Sequence, residues 1–161
     1  MSRRQQPGAG FTLRDHCLAD FDALWQLDQE CFPPELAYSR TELAGYMRRQ
    51  SSLTLVAERE GKLAGYIVAE RGGRAAGHII TLDVRAQERR SGLGSKLMAA
   101  AEERLRALGC ASVLLEVAVS NAAAIAFYHR QGFATLATIP KYYNGHTDAL
   151  LLGKKLAEKA E

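Results

Sequence analysis

Apolar positions along this 161-residue chain fall into two rhythms, one near every second residue and one near every third or fourth. Phe11 to Arg14 alternates briefly and predicts a first strand. Leu18, Phe21, Leu24, Trp25 and Leu27 recur at helical spacing and predict a helix over Asp15 to Cys31. Cys31-Phe32-Pro33-Pro34 ends it, because the residue before a proline is pushed out of helical geometry. Ser39 with Glu42 three residues on is a capping-box pattern, predicting a second helix to about Arg49. Leu53 to Glu58 and Leu63 to Glu70 read as a hairpin turning at Glu60-Gly61, with Ala75 to Val84 as the third strand of a meander. After a polar loop over 85–91, Leu93, Leu97, Ala101, Leu105 and Leu108 line one face of a long helix that Gly109 stops. Val113 to Val119 is apolar and β-branched, as a central strand is. Asn121 opens a helix to about Gln131, with Gly132 as its stop, and Phe133 to Ile139 and Ala149 to Leu152 close the domain around a turn containing Asn144-Gly145. The sum is a mixed α/β (α+β) domain, about seven strands in one sheet with about four helices.

Composition narrows the class. The net charge of +3 comes from basic residues interspersed with acidic ones, which does not describe a nucleic-acid surface. No apolar run approaches the roughly 20 residues of a spanning helix. Residues 1–9 read as a disordered lead-in rather than a secretory signal, 10–156 as one domain and 157–161 as a charged tail. Cys17, Cys31 and Cys110 are far apart and odd in number, suggesting neither a disulfide framework nor a metal site. Free thiols suit a reducing cytoplasm.

The chemistry starts at Arg89-Arg90-Ser91-Gly92-Leu93-Gly94-Ser95, between a strand and a helix. Glycines let the backbone approach a ligand, and the helix N-terminus offers unpaired N–H groups and a positive dipole end. Together they make a pyrophosphate site, to which the arginines can add charge-assisted contacts. It is neither a P-loop, since Gly94 is followed by Ser95-Lys96, nor a dinucleotide fingerprint, since position 97 is leucine. Downstream, Val113, Leu115, Val117 and Val119 share one strand face while Leu114, Glu116 and Ala118 share the other. A carboxylate amid such a strand is costly unless it faces a cleft or has a partner.

Taken in order, the glycine loop, Leu114-Leu115-Glu116-Val117, Ser120-Asn121, Ala124 to Tyr128, Gly132-Phe133, Tyr142-Tyr143 and Asp148-Ala149-Leu150 resemble the GCN5-related N-acetyltransferase (GNAT) superfamily. The likeness is greatest to bacterial ribosomal-protein-alanine acetyltransferases and to the catalytic subunits of N-terminal acetyltransferases. It implies the GNAT fold and acetyl-CoA as acetyl donor. It implies that Leu82, Asp83 and Val84 bind the pantetheine arm through their backbone, with an N–H near Val84 polarising the thioester carbonyl. It gives the pyrophosphate to the stretch from Arg89 to Ser95, and Asn121 to coenzyme A, unless Asn121 serves only as a helix cap. Glu116 is implied as proton acceptor and Tyr128 as proton donor.

For the acceptor, the resemblance implies a peptide amino terminus, a ribosomal protein being one candidate. It would be gripped by the loop carrying Phe32, Pro33 and Tyr38 and by a second loop carrying Tyr142 and Tyr143. The chain departs from the pattern in having Ala118 where an arginine is usual, no tryptophan after Phe32-Pro33, and Asp83 where many relatives have a small or apolar residue. A small amine as acceptor, and a module that binds acetyl-CoA without catalysis, remain alternatives on sequence. No metal, nucleic acid or membrane is implied.

Overall fold

The computed structural model describes residues 10–156; the lead-in expected over 1–9 and the tail over 157–161 lie outside them. The elements are β1 (Thr12–Asp15), α1 (Phe21–Cys31), α2 (Arg40–Arg48), β2 (Ser52–Arg59), β3 (Lys62–Arg71), β4 (Ala76–Val84), α3 (Leu93–Ala107), β5 (Ser112–Ala118), α4 (Ala122–Arg130), β6 (Ala134–Tyr143) and β7 (Thr147–Lys155), with 3-10 turns at Leu18–Asp20 and Ala86–Glu88. The sheet order is β1-β2-β3-β4-β5-β7-β6, antiparallel except for β4 beside β5. The local signals act as their chemistry requires. Glu60 and Gly61 take positive φ in the two-residue β2–β3 turn, and Ser39 and Glu42 complete their reciprocal cap at 3.1 Å each way. Among the described residues no helix is long and apolar enough to cross a membrane.

Each face of the sheet carries its own core. On one, α3 buries Leu93, Leu97, Met98, Ala101 and Leu105 against alternate residues of the strands, Val113, Leu115 and Val117 among them. On the other, Leu24 and Leu27 of α1 and Leu43 of α2 pack on Val56, Tyr66 and Val68. Two expectations are corrected. The first turn of the expected Asp15–Cys31 helix is a 3-10 turn, and Leu18 lies 93% exposed. Asp20 there is engaged by the Arg14 guanidinium at 2.8 Å and by the Cys17 N–H at 2.7 Å, which fixes a tighter turn before α1 begins. Tyr142 and Tyr143 belong to the end of β6, not to a loop, since β6 extends to Tyr143 through an irregularity at Pro140-Lys141.

Candidate active site

Two irregularities of β4 make the site. Ala69 pairs with Ile79 but Val68 pairs with Thr81, so Ile80 is an extra residue, a β-bulge. On its other edge β4 pairs with β5 only from Ala76 to His78, opposite Ser112 to Leu114; beyond that β5 continues on β7 while β4 runs on alone. The two parallel strands therefore splay, opening a wedge beside residues 79–84. The backbone there can be oriented by alternation. The Arg85 N–H donates to the Ala64 carbonyl at 2.8 Å, which makes that pair the hydrogen-bonded one and the adjacent Val84–Gly65 pair the non-bonded one. The N–H and C=O of Val84 thus turn away from β3 toward the wedge, and alternation gives Leu82 the same sense. The Val84 carbonyl receives the Cys31 thiol at 3.5 Å and the Arg89 Nε at 3.4 Å. Asp83, by contrast, pairs with Tyr66 and its side chain is buried on the α1 side, away from the wedge.

At the wide end of the wedge the chain enters α3. Arg90 and Gly92 both take positive φ, and Gly92 is the N-cap, so the loop curls over the first turn of the helix. Gly94 lies so close to the Phe127 ring that a Cβ would stand 3.2 Å from it. Leu93 is buried in the core and can offer a ligand only backbone. The Ser95 hydroxyl accepts from Gln131 Nε2 at 2.8 Å, and Ser91 donates to the Glu88 carbonyl. Asn121 Oδ1 accepts from the Ala124 N–H at 3.1 Å, so the capping use of this side chain is realised. Bare helix-terminal N–H groups, exposed Arg89 and Arg90 and an unpaired strand edge suit an extended ligand with a pyrophosphate at one end.

The narrow end of the wedge holds the titratable groups. Glu116 Oε2 is 2.6 Å from His78 Nε2. On the other side of the imidazole, His78 Nδ1 is 3.9 Å from Glu70, which in turn takes Arg49 Nη1 at 2.9 Å. Burial lowers the His78 pKa, but the bonded Glu116 carboxylate, with Glu70 behind it, raises it further, so the net direction is up. Glu116 keeps 18% of its side chain exposed, so it has both a partner and an open side. Tyr128, on α4, is half-buried among the Phe127 and Phe133 rings at 5.3 and 5.8 Å, and burial pushes its hydroxyl pKa well above the usual value. Tyr143 feels both Glu116 and Tyr128, and Tyr142 feels Glu116 and Tyr46. Tyr38 and Tyr46 stack edge-on at 5.5 Å, as do Tyr142 and Tyr143 at 4.9 Å.

Tyr38 is pinned rather than loose. Its N–H donates to Asp28 at 2.8 Å, its carbonyl receives Trp25 Nε1 and Gln29 Nε2, and its hydroxyl donates to the bulge carbonyl of Ile80 at 3.2 Å. Phe32 caps α1 half-buried and Pro33 is exposed, its carbonyl closing a turn with Leu36 and Ala37. The Asn144 side chain donates to the Glu35 carbonyl, joining the β6–β7 turn to the α1–α2 loop. Sequence reasoning missed His78, Glu70, Arg49 and Tyr46. The alternation of β4 could have put His78 on the Glu116 face, but only the parallel register, His78 opposite Leu114, brings the two together.

The family profile described as "Acetyltransferase (GNAT) family" matches residues 21–133. An uncharacterized N-acetyltransferase of Methanocaldococcus jannaschii is 33% identical over 144 residues, 89% of this chain and 90% of the relative. The ribosomal protein bS18-alanine N-acetyltransferase of Salmonella typhimurium is 31% identical over 139 residues, covering 83% and 89%. Among solved structures, Ard1 of Thermoplasma volcanium superposes with a TM-score of 0.84 at 28% identity, covering 92% of this chain and 99% of that one.

Proposed function

Since the chain belongs to the GNAT family of acetyltransferases and takes its acetyl group from acetyl-CoA, we propose that its acceptor is the free α-amine of a protein or peptide amino terminus. The observation that carries this reading is the bridge from Asn144 to Glu35 over a group of four tyrosines, 38, 46, 142 and 143, beside the Glu116–His78 pair. Tyrosines offer apolar area with hydroxyls for a peptide backbone, and their ring faces attract an ammonium group. The Salmonella relative, by its name, acetylates the alanine of a ribosomal protein, which supports the same class of acceptor.

Bound acetyl-CoA supplies an activated acyl carbon and a thiolate leaving group. The acceptor α-amine, with a pKa of about 7.7–8.0, is mostly protonated at neutral pH and must lose a proton to attack. Glu116 receives that proton, and His78, bonded to it at 2.6 Å, shares the load as one accepting pair. The Val84 N–H, turned into the wedge, supports the charge that develops on the acyl oxygen. Tyr128, kept protonated by its burial, gives its proton to the departing sulfur, and the second proton of the nitrogen leaves through the accepting pair. The test is coenzyme A release across peptides varied only in their first residues, with ε-amine and polyamine controls, for wild type and Glu116→Gln. Turnover on free amino termini that falls by about 10²–10⁴-fold in the variant supports the reading. Turnover confined to small amines overturns it.

A further inference from the structure

Asp28 of α1 and Asp83 of β4 are 0% and 1% exposed and have no part in the steps above. Each has one satisfied oxygen. Asp28 Oδ2 accepts from the Tyr38 N–H at 2.8 Å, and Asp83 Oδ1 accepts from the Thr81 hydroxyl at 2.6 Å. Each also has one buried oxygen, Asp28 Oδ1 and Asp83 Oδ2, without a well-formed hydrogen bond, although the Thr81 hydroxyl stands near Asp28 and the Tyr66 hydroxyl, itself unpartnered, near Asp83. No Lys, Arg or His pairs with either carboxyl among the described residues. The two side chains nevertheless lie within hydrogen-bonding reach of each other. Two contacting carboxylates cannot both be ionised in a dry interior, whereas one proton between them satisfies both orphan oxygens at once.

We propose that Asp28 and Asp83 share one proton and act in that form as positioning residues for acetyl transfer, fastening the acceptor-side loop at Tyr38 to the strand segment 80–84 that faces the acetyl donor. The fastening is double. The pair joins α1 to β4 beside Val84, while the Tyr38 hydroxyl holds the Ile80 carbonyl four residues earlier than Val84. The surrounding groups favour the shared proton. Glu42 of α2 faces Asp28 with negative charge; Tyr66 of β3, Cys31 of α1 and Tyr128 of α4 face Asp83, and burial keeps all three protonated, the Cys31 thiol being pushed up to about 11. Arg89 faces Cys31 rather than the carboxyls. Loss of the shared proton puts two repelling charges between the loop and the strand, so the acceptor site loosens as pH rises.

The assignment rests on acetyl transfer by this chain and not on which amine is acetylated. Its first readout needs no acceptor: infrared difference spectra of the protein with ¹³C-labelled aspartate, titrated from neutral to alkaline pH. Wild type should show a protonated-carboxyl band at neutral pH that Asp28→Asn removes, because the amide donates where the proton stood. The second readout is the pH profile of turnover on any amine accepted. Wild type should decline at alkaline pH, Asp28→Asn should lack that decline, and Asp28→Ala, which strips the Tyr38 N–H of its acceptor, should raise the acceptor KM by about tenfold with a smaller change in kcat. Absence of the band from wild type, or an identical alkaline decline in wild type and Asp28→Asn, overturns the proposal. Should Asp28→Asn fail to fold, the wild-type band and its titration decide alone.

Discussion

Gly65 gives the sharpest test of how the wedge is held. It lies opposite Val84 in the non-bonded pair, where antiparallel strands come closest. A Cβ built there would stand 2.7 Å from the Asp83 carbonyl oxygen, 3.2 Å from Leu93 Cδ2 and 3.3 Å from Val84 Cα. The leucine end can swing aside; the backbone carbonyl cannot, and it is about 0.7 Å inside the 3.4 Å at which ordinary contact begins. Gly65→Ala must therefore push the end of β4 outward by roughly that amount. Overpacking of this kind costs about 1–3 kcal/mol, reduced by the 0.4–1 kcal/mol that alanine gains by restricting the unfolded chain. A net loss of about 1–2 kcal/mol lowers Tm by about 2–8 °C in a domain of this size. Turnover should suffer more than stability, because a shift near 1 Å at a reacting group can cost on the order of 10²-fold. Thermal melts and steady-state kinetics at saturating acetyl-CoA read both effects. A variant with wild-type Tm and wild-type kcat would refute the claim that β3 sets the position of the Val84 amide.

Three further outcomes follow from other parts of the site. Gly92→Ala forces a side chain into φ +84 at the start of α3; it should cost about 1 kcal/mol in stability and weaken coenzyme A binding by at least tenfold in a calorimetric titration. His78 has its folded pKa raised, so its contribution to stability is full below the unfolded value of about 6.5 and fades as pH rises through the folded one; Tm measured against pH should show this fade in wild type and not in His78→Gln. Asn144→Ala cuts the link to the Glu35 carbonyl and should raise the peptide KM by about tenfold while leaving kcat and coenzyme A affinity near wild type, read from paired kinetic and binding measurements.

Much of the fold was legible because the signals were local. The Glu60-Gly61 turn, the Ser39 cap and the glycine stops at 109 and 132 each act within a few residues, and the two strand faces around Glu116 follow from alternation. The failures share a different cause. Leu18 keeps helical spacing with Phe21 and Trp25, yet Arg14 reaches six residues along to Asp20 and sets a tighter turn. His78 reads as a polar residue in a meander strand until a parallel crossover sets β5 beside β4. Asp83 was visible as an oddity beside Val84, but Asp28 sits inside a helical stretch with no signal of its own; nothing in one chain's pattern says that the two meet. Tyr46 falls in the same class, an apolar-face position on α2 that the sheet turns toward Tyr38 and Tyr142.

The same strand is therefore asked to do opposite things on its two edges. Toward β3, β4 must be firm, because the Leu82 and Val84 backbone takes its position from that pairing. Toward β5 it must be unpaired, because the donor needs backbone groups that no neighbouring strand has already taken. The bulge at Ile80 reconciles the two by rotating Thr81 and Asp83 onto the α1 side, where they lock down, and turning Leu82 and Val84 the other way. Were Ile80 paired opposite Val68 in unbroken register instead of bulging, alternation would send Asp83 into the α3 core and Val84 toward α1, exchanging a buried carboxyl for the apolar contacts of Val84. The placement of the buried acid and of the Val84 backbone thus traces to one bulge and that of the accepting pair to the parallel register just before it, so the acetyl-transfer geometry depends on β4 being bulged where it leaves β5.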